Sequence, residues 1–196
     1  RVHESYPRLP IVLLAFDETD RKGLPGGVLP ATIDREFLWT GDAQILIAAI
    51  KLIEDARNAE HDSRTAGVQV ILVVEDSVRR YSSFLALLYA ELMTQSQSLI
   101  GEGLNAIHRL QRMRARPKIL LATTYEEAER LRGTFRDRLL AVIADVRFPR
   151  GGREDPGAGL DLVRQIRAVD PDLPVLVQSA EAGVEDAAAE MEVWHV

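Results

Sequence analysis

The sequence predicts an α/β protein built on a doubly wound, five-stranded parallel sheet with the flavodoxin-like strand order 2-1-3-4-5. Short apolar runs alternate with amphipathic stretches, which is the pattern that strands and their covering helices give in such folds. The runs are apolar almost throughout, as expected for strands that are buried on both faces. From residue 68 onward the segments alternate β-α-β-α-β-α-β-α-β, so we expect no helix after the fifth strand.

The elements predicted between residues 68 and 196 follow from this alternation. The strands are rich in Val, Ile and Leu and cover Val68–Val74, Lys118–Ala122, Leu139–Ala144, Pro174–Gln178 and Val193–Val196. The helices have apolar residues at helical spacing and cover Val78–Met113, Tyr125–Phe135, Gly159–Val169 and Val184–Met191. The first helix is unusually long, and Gly101 and Gly103 are candidate breaks in it. A loop is predicted over Val146–Ala158.

Residues 1–67 are predicted to form a separate, smaller part of the chain. Asp42 is a candidate N-cap for an amphipathic helix, and the polar stretch His61–Gly67 is predicted to link this part to residues 68–196. The remaining predicted elements are two strands and that helix, at Leu9–Phe16, Glu36–Trp39 and Ala43–Asn58.

The composition excludes several classes of protein. The chain has 196 residues, of which 46% are hydrophobic, so it can bury a core and global disorder is excluded. Its net charge of −6 argues against nucleic-acid binding. The absence of Cys excludes disulfides and thiolate metal sites and favours a cytoplasmic location. No apolar run approaches the ~18 residues that a membrane span needs, so no membrane association is expected.

Three carboxylates follow two predicted strands that are neighbours in the order 2-1-3-4-5. Glu75 and Asp76 end the strand Val68–Val74, and Asp145 ends the strand Leu139–Ala144. Each alone is commonly a helix cap or loop residue, but together they lie at the switch point where such sheets bind ligands. Grouped carboxylates repel one another and need a cation, and their hard oxygen atoms suit Mg²⁺.

Ser179 directly follows the fourth predicted strand and adds a hydroxyl group to the same edge of the sheet. A hydroxyl group in this place can donate to a phosphoryl oxygen and move when that charge arrives. Taken alone, a Ser after a strand is more often a turn or cap residue.

These residues and their spacing resemble the receiver domains of response regulators. The similar segments are ILVVEDS, VIADVRFP and GLDLVRQIRAVDPDLPVLVQSA, which begin at Ile71, Val142 and Gly159. In that family the first strand ends in an acidic pair, the third ends in the phosphoacceptor, and a Ser or Thr follows the fourth. The resemblance covers about two thirds of the chain, from Gln69 to its end.

The resemblance implies a mechanism and a set of partners. Asp145 would accept a phosphoryl group from the His of a histidine kinase or phosphotransfer protein, or from a small phosphodonor. Mg²⁺ would be held by Asp76, Asp145 and the backbone carbonyl of Arg147, with Glu75 acting through water. Ser179 would then move inward and change the partners of the domain. Such a bacterial receiver is not an enzyme beyond self-phosphorylation and autodephosphorylation.

The first part of the chain resembles the end of a second, degenerate receiver. Ala15 stands at the position of the switch hydroxyl, and Thr40 and Gly41 stand where a Lys-Pro pair is usual. The tandem is similar to the N-terminal region of bacterial proteins with a domain like phosphoenolpyruvate synthase or pyruvate phosphate dikinase. Because the second part lacks a last helix, we expect a homo-oligomer or a compact hybrid in which Ala43–Asn58 packs on the second sheet.

Other functions stay open on the sequence. A pseudo-receiver that serves as a protein-interaction scaffold is favoured by the degenerate first part and by the missing Lys after the fifth strand. A metal-dependent phosphohydrolase would need an acidic residue two positions after Asp145, where Arg147 stands. A nucleotide-binding fold would need a GxGxxG or Walker-type motif, and neither is present.

A basic cluster precedes the second strand of the predicted receiver. Its members are Arg112, Arg114, Arg116 and Lys118. Cations suit helix C-termini, so these residues are predicted to be a solvated, stabilising helix end. A docking surface is the alternative interpretation.

Overall fold

The computed structural model describes Tyr6 and residues 9–17, 30–101, 116–179, 184–191 and 193–195. The chain divides into two compact units. The first unit extends to Ile53 and includes Ser77–Glu91, and the second consists of Glu54–Asp76 and the chain from Leu92 onward. The division predicted from the sequence, into residues 1–67 and 68–196, is based on family resemblance. The two compact units do not test it, so it stays a prediction.

The described residues form strands and helices that we number in chain order. The strands are β1 (Val12–Ala15), β2 (Arg35–Leu38), β3 (Val70–Val74), β4 (Lys118–Ala122), β5 (Leu139–Asp145), β6 (Phe148–Arg150), β7 (Arg153–Asp155), β8 (Val175–Gln178) and β9 (Trp194–His195). The helices are α1 (Gln44–Ala66), α2 (Val78–Gly101), α3 (Tyr125–Thr134), α4 (Ala158–Val169) and α5 (Val184–Glu190). A short 3₁₀ helix at Arg136–Arg138 leads into β5.

The second unit contains a central parallel sheet, which confirms the predicted α/β class. Strands β4, β3, β5 and β8 lie side by side in that order and pair in parallel. The two-residue strand β9 pairs in parallel beside β8. Every residue of β3 and β4 is buried, which explains why these segments are apolar throughout rather than alternating.

The core of the second unit lies between one face of this sheet and helices α3 and α4. Val70, Leu72 and Val74 point to that face, because side chains two residues apart lie on the same side of a strand. Helix α4 contributes Leu162 and Ile166, which are four residues apart and therefore share one face of the helix. Burial of these side chains fixes the strand register, and hence the places where the strands end.

Helix α3 begins at a well-formed cap directly after β4. The hydroxyl group of Thr124 accepts a hydrogen bond from the Glu127 amide at 3.2 Å. The Glu127 carboxylate in turn accepts from the Thr123 amide at 2.9 Å. This reciprocal arrangement satisfies two amides at the start of the helix and fixes the direction in which the chain leaves the sheet.

Helix α1 is longer than predicted, and the expected linker His61–Gly67 is wrong. The helix continues to Ala66, and Gly67 ends it with a φ of 67°, a left-handed conformation that glycine adopts readily. The Ser63 hydroxyl donates to the Val68 carbonyl at 2.8 Å, which ties the last turn to the next segment. The polar residues of this stretch therefore form a solvated helix face rather than a linker.

The predicted loop Val146–Ala158 is also wrong, because it contains a short antiparallel hairpin. Strands β6 and β7 pair with Phe148 opposite Asp155. Gly151 and Gly152 form its two-residue turn with φ values of 59° and 75°. Positive φ at both turn residues is the geometry that Gly-Gly favours in tight hairpins.

The prediction that Arg116 and Lys118 belong to a solvated helix end is wrong. Their side chains are only 9% and 6% exposed, and both cations face Asp55, which is 0% exposed. Arg116 binds the Asp55 carboxylate through two nitrogens at 2.6 and 2.9 Å, and Lys118 Nζ also lies 2.9 Å from Asp62. Buried charges are tolerated only when they are paired in this way. The other cluster members, Arg112 and Arg114, lie outside the described residues.

Helix α2 covers the first part of the predicted Val78–Met113 helix. Its described residues extend to Gly101, and Gly103 lies outside the described residues, so the predicted break there stays a prediction. None of the helices in the described ranges combines the length and the apolar character that crossing a membrane requires.

The first unit contains a two-stranded parallel sheet, β1 beside β2. The Asp42 carboxylate accepts from the Gln44 amide at 2.9 Å, as expected of a helix cap. The ring of Phe37 in β2 meets Tyr81 edge to face, with centroids 5.7 Å apart, and the Tyr81 hydroxyl donates to the Glu36 carbonyl at 2.6 Å. These contacts build a small core within this unit.

Candidate functional site

The three predicted carboxylates come together at the carboxyl edge of the parallel sheet. Val74 at the end of β3 pairs with Ala144 in β5, so Glu75 and Asp145 follow at the same level of two neighbouring strands. One carboxylate oxygen from each of Glu75, Asp76 and Asp145 lies within 4.8 Å of the others. The sequence-based expectation that these residues share one site agrees with their position.

Burial makes this grouping electrostatically demanding. Glu75 and Asp145 are each 3% exposed, while Asp76 is half-buried. Like charges held a few ångströms apart and removed from water raise one another's free energy strongly. A bound cation is one arrangement that would offset that cost.

The donor set fits a hard divalent cation. All three side chains offer carboxylate oxygen atoms, which Mg²⁺ prefers, and each can supply one oxygen to a common point. The Glu75 amide donates to the Ala122 carbonyl at 3.0 Å, and Asp145 Oδ1 accepts from the Val146 amide at 2.8 Å. The first bond ties the end of β3 to β4, and the second orients the Asp145 carboxylate.

Ser179 lies at the same edge of the sheet, on the next strand. Asp145 pairs with Gln178 in the register of β5 and β8, and Ser179 is the following residue. Its side chain is half-buried. The hydroxyl group therefore belongs to the surroundings of the carboxylates, and its role as a switch stays a prediction.

Arg147 lies in the short connection between β5 and the hairpin, two residues after Asp145. Its side chain is 45% exposed, and Nη1 lies 3.5 Å from Glu154 Oε1 in β7. The side chain thus extends along the hairpin. The use of its backbone carbonyl as a metal ligand stays a prediction.

Gly159 was not predicted to matter for this site, yet its position requires a glycine. A Cβ atom built there would overlap the carbonyl oxygen of Asp145 and lie 2.7 Å from the Cα of Val146. The Gly159 amide donates to the Val146 carbonyl at 2.9 Å. Helix α4 can approach the end of β5 this closely only without a side chain at this position.

The β6–β7 hairpin and the contacts of Arg150 were also not predicted from the sequence. Arg150 contacts the Tyr125 ring and the carboxylates of Asp155 and Asp161. The doublet Gly151-Gly152 was the available signal, because two glycines between short segments favour a hairpin turn. The flanking segments are only three residues long, too short for an alternation pattern to be recognised.

Comparison with known proteins adds no identification. No protein-family model matches the chain, and no curated protein matches it. The receiver resemblance therefore rests on the residues quoted above and on their placement at one edge of the sheet.

Proposed function

We propose that this chain is a two-component receiver that accepts a phosphoryl group on Asp145 and changes its protein partners in response. The observation that carries the proposal is the meeting of Glu75, Asp76 and Asp145 within 4.8 Å at the ends of adjacent parallel strands. In open α/β sheets, ligands bind outside the carboxyl ends of the strands at the switch point, and these carboxylates lie there.

The chemistry assigned to Asp145 is nucleophilic attack on phosphorus. One carboxylate oxygen forms a bond to the phosphorus atom, and the bond from phosphorus to the donor's imidazole nitrogen breaks with its electron pair leaving on the imidazole. With acetyl phosphate the pair leaves on the acetate oxygen instead. The product is an acyl phosphate on the chain.

Asp76, Asp145 and the backbone carbonyl of Arg147 would hold the metal ion, with Glu75 acting through water. A bound Mg²⁺ would supply positive charge against the phosphoryl oxygens. The role of the acidic pair is to hold that charge beside Asp145, and burial strengthens every electrostatic interaction there.

Ser179 is assigned the role of the responding group. After phosphorylation its hydroxyl group donates to a phosphoryl oxygen, and its strand end moves toward Asp145. The surface beside β8 and β9 then differs between the two states, which is how a local charge alters partner binding.

Several finer features belong to the same proposal. The sheet is flavodoxin-like with order 2-1-3-4-5, and β9 is its fifth strand, which the pairing of Leu176 with Trp194 supports. The partner is a histidine kinase or phosphotransfer protein in the bacterial cytoplasm. The chain self-associates or packs its two parts together, and it belongs to a tandem like that of phosphoenolpyruvate synthase-like proteins.

The test is intact mass after incubation with Mg²⁺ and acetyl phosphate. We expect a gain of one phosphoryl group in the parent chain and none in Asp145→Asn. Asp170→Asn is the matched control. Asp170 is an exposed carboxylate at the C-terminal end of α4, so its replacement should leave phosphorylation unchanged. Asp76→Asn keeps the acceptor Asp145, but we expect its phosphorylation to be slower and to depend less on the Mg²⁺ concentration.

Absence of phosphorylation would favour the alternative function. If the parent gains no phosphoryl group from acetyl phosphate or phosphoramidate at any Mg²⁺ concentration, the chain is a pseudo-receiver that acts as an interaction scaffold. If Asp145→Asn gains as much as the parent, another residue is the acceptor and the assignment of Asp145 is wrong.

A further inference from the structure

The β6–β7 hairpin lies in the connection that carries Arg147, the proposed backbone ligand. Only Val146 and Arg147 separate Asp145 from the hairpin's first residue, Phe148. Val146 is 2% exposed and Phe148 is 0% exposed, so the residues on both sides of Arg147 are packed in the core. The place of the Arg147 carbonyl therefore depends on the packing of Val146 and of Phe148, the first residue of the hairpin.

One cation holds the hairpin to two helices. The guanidinium carbon of Arg150 lies 3.6 Å from the centroid of the Tyr125 ring at the start of α3. Its Nη1 lies 2.9 Å from Asp161 in α4 and 3.2 Å from Asp155 in β7. The hydrogen bond to Asp161 is the main reason that the pKa of Arg150 is raised above its ordinary value, so the cation is charged at every working pH.

Two further contacts fix the same hairpin on α3. The ring of Phe148 stacks on Tyr125 at a centroid distance of 6.3 Å and an interplanar angle of 18°. The Gly151 amide in the turn donates to Glu126 Oε1 at 2.8 Å. Tyr125 thus contacts both Phe148 and Arg150, and the hairpin is attached to α3 at its first residue and beside its turn.

We propose, on the basis of the function proposed above, that Arg150 is a positioning residue for the divalent cation site. Its contacts with Tyr125 and Asp161 hold the connection that contains Arg147, so the backbone carbonyl is in place before the cation arrives. Supporting groups around metal ligands typically change affinity by about 10- to 100-fold, and Arg150 acts through three residues of backbone, so we expect about tenfold.

The direction in which the cation affinity changes distinguishes a positioning role of Arg150 from a purely electrostatic one. Removing a positive charge near an acidic cluster strengthens the binding of a cation, because one repulsion is lost. Loss of positioning weakens the binding. A weaker cation affinity after removal of the Arg150 charge therefore cannot come from the charge itself.

The experiment measures binding of Mn²⁺ alone to the full chain, by the electron paramagnetic resonance signal of free Mn²⁺. In Arg150→Met we expect the dissociation constant to rise about tenfold. In Arg150→Lys, which keeps the charge but not the planar fork, we expect a smaller rise. Arg164→Met is the matched control, since Arg164 Nη1 also binds Asp161, at 2.7 Å, but is 59% exposed on α4 and should change the affinity less than twofold.

A second readout needs no metal. Amide hydrogen exchange of a peptide covering residues 145–150 should be faster in Arg150→Met than in the parent or in Arg164→Met. Thermal unfolding of each variant identifies a temperature at which all variants are folded. The Mn²⁺ affinities are measured at that temperature, so a lower affinity is not caused by unfolding.

The outcomes distinguish this inference from the proposed function. If the parent binds no Mn²⁺, or Asp145→Asn binds it as tightly as the parent, the proposed site fails and the inference fails with it. If the parent site binds Mn²⁺ but Arg150→Met binds equally or more tightly, the site stands and the positioning role of Arg150 is overturned. An equal loss in Arg150→Met and Arg164→Met would also overturn it.

Discussion

Asp55 is the side chain whose replacement should most disturb the second unit, because it is a charge with no access to water. It is 0% exposed and accepts hydrogen bonds from two Arg116 nitrogens and, at 3.0 Å, from the Ile119 amide. Lys118 Nζ lies 3.7 Å away. Asp55 thus joins helix α1 to the first residues of β4.

The variant Asp55→Asn keeps the shape of the side chain and removes its charge. Breaking a buried ion pair by removing one partner costs about 3–5 kcal/mol of unfolding free energy, because the remaining charge is left buried. Here Lys118 keeps Asp62 at 2.9 Å and Arg116 still donates to the Pro117 carbonyl at 3.1 Å. We therefore expect a loss near the lower end of that range, about 3 kcal/mol.

Urea unfolding followed by far-ultraviolet circular dichroism measures this loss. The matched control is Glu60→Gln, which removes the carboxylate of an ion pair on the same helix. Glu60 and Arg64 lie 3.6 Å apart with side chains 73% and 69% exposed, so the control should lose no more than about 0.5 kcal/mol. The double variant Asp55→Leu with Arg116→Met should be more stable than Asp55→Asn, because neither charge remains unpaired.

Equal stability of Asp55→Asn and Glu60→Gln would refute this reasoning. It would mean that water reaches the Asp55 cluster in solution, or that α1 and β4 separate at little cost. A destabilised Asp55→Asn with an equally destabilised double variant would assign the loss to packing rather than to charge.

The remaining predictions concern helix packing, pH and association. Gly159→Ala should lose at least about 2 kcal/mol of unfolding free energy, because the added Cβ overlaps backbone atoms. Gly133→Ala should gain up to about 1 kcal/mol, because its added Cβ has nothing within 4 Å. Urea unfolding of both variants checks these opposite signs. The pKa of Asp161 is lowered from 3.8, first by the hydrogen bond from Arg150, so its stabilisation is present above pH 3.8 and is lost as the pH falls through the lower folded value. The stability difference between the parent and Asp161→Asn, about 0.5 kcal/mol for this partly exposed group, should therefore vanish in acid, and a difference that persists there would contradict the ionic origin. Self-association should appear in sedimentation velocity as a coefficient that rises with protein concentration. A constant monomer value would contradict self-association and leave packing within one chain as the proposed arrangement.

Much of the fold could be predicted because the strands are buried on both faces. A segment such as Val70–Val74 is apolar throughout, which is typical of a short strand that is buried on both faces. Helix α4 was predicted within one residue of its start, since its apolar residues repeat with helical spacing. Helix α1 was cut short because polarity alone does not separate a solvated helix face from a linker.

The candidate site could likewise be predicted only in part. Glu75, Asp76 and Asp145 could be brought together on the sequence, because parallel strands that are neighbours end at one edge of their sheet. The contacts of Arg150 could not be predicted, since they depend on how a hairpin of two three-residue strands folds over α3. The pairing of Asp55 with Arg116, 61 residues apart, depends on tertiary structure that no local pattern encodes.

The identity of the phosphorylated residue is the most direct test of the central claim. The chain is incubated with Mg²⁺ and acetyl phosphate, reduced with borohydride, and digested for peptide mass spectrometry, because reduction converts an aspartyl phosphate to homoserine. We expect homoserine at Asp145 and at no other carboxylate, with none formed when EDTA replaces Mg²⁺. Homoserine at a different position, or none at all in the parent chain, would contradict the account.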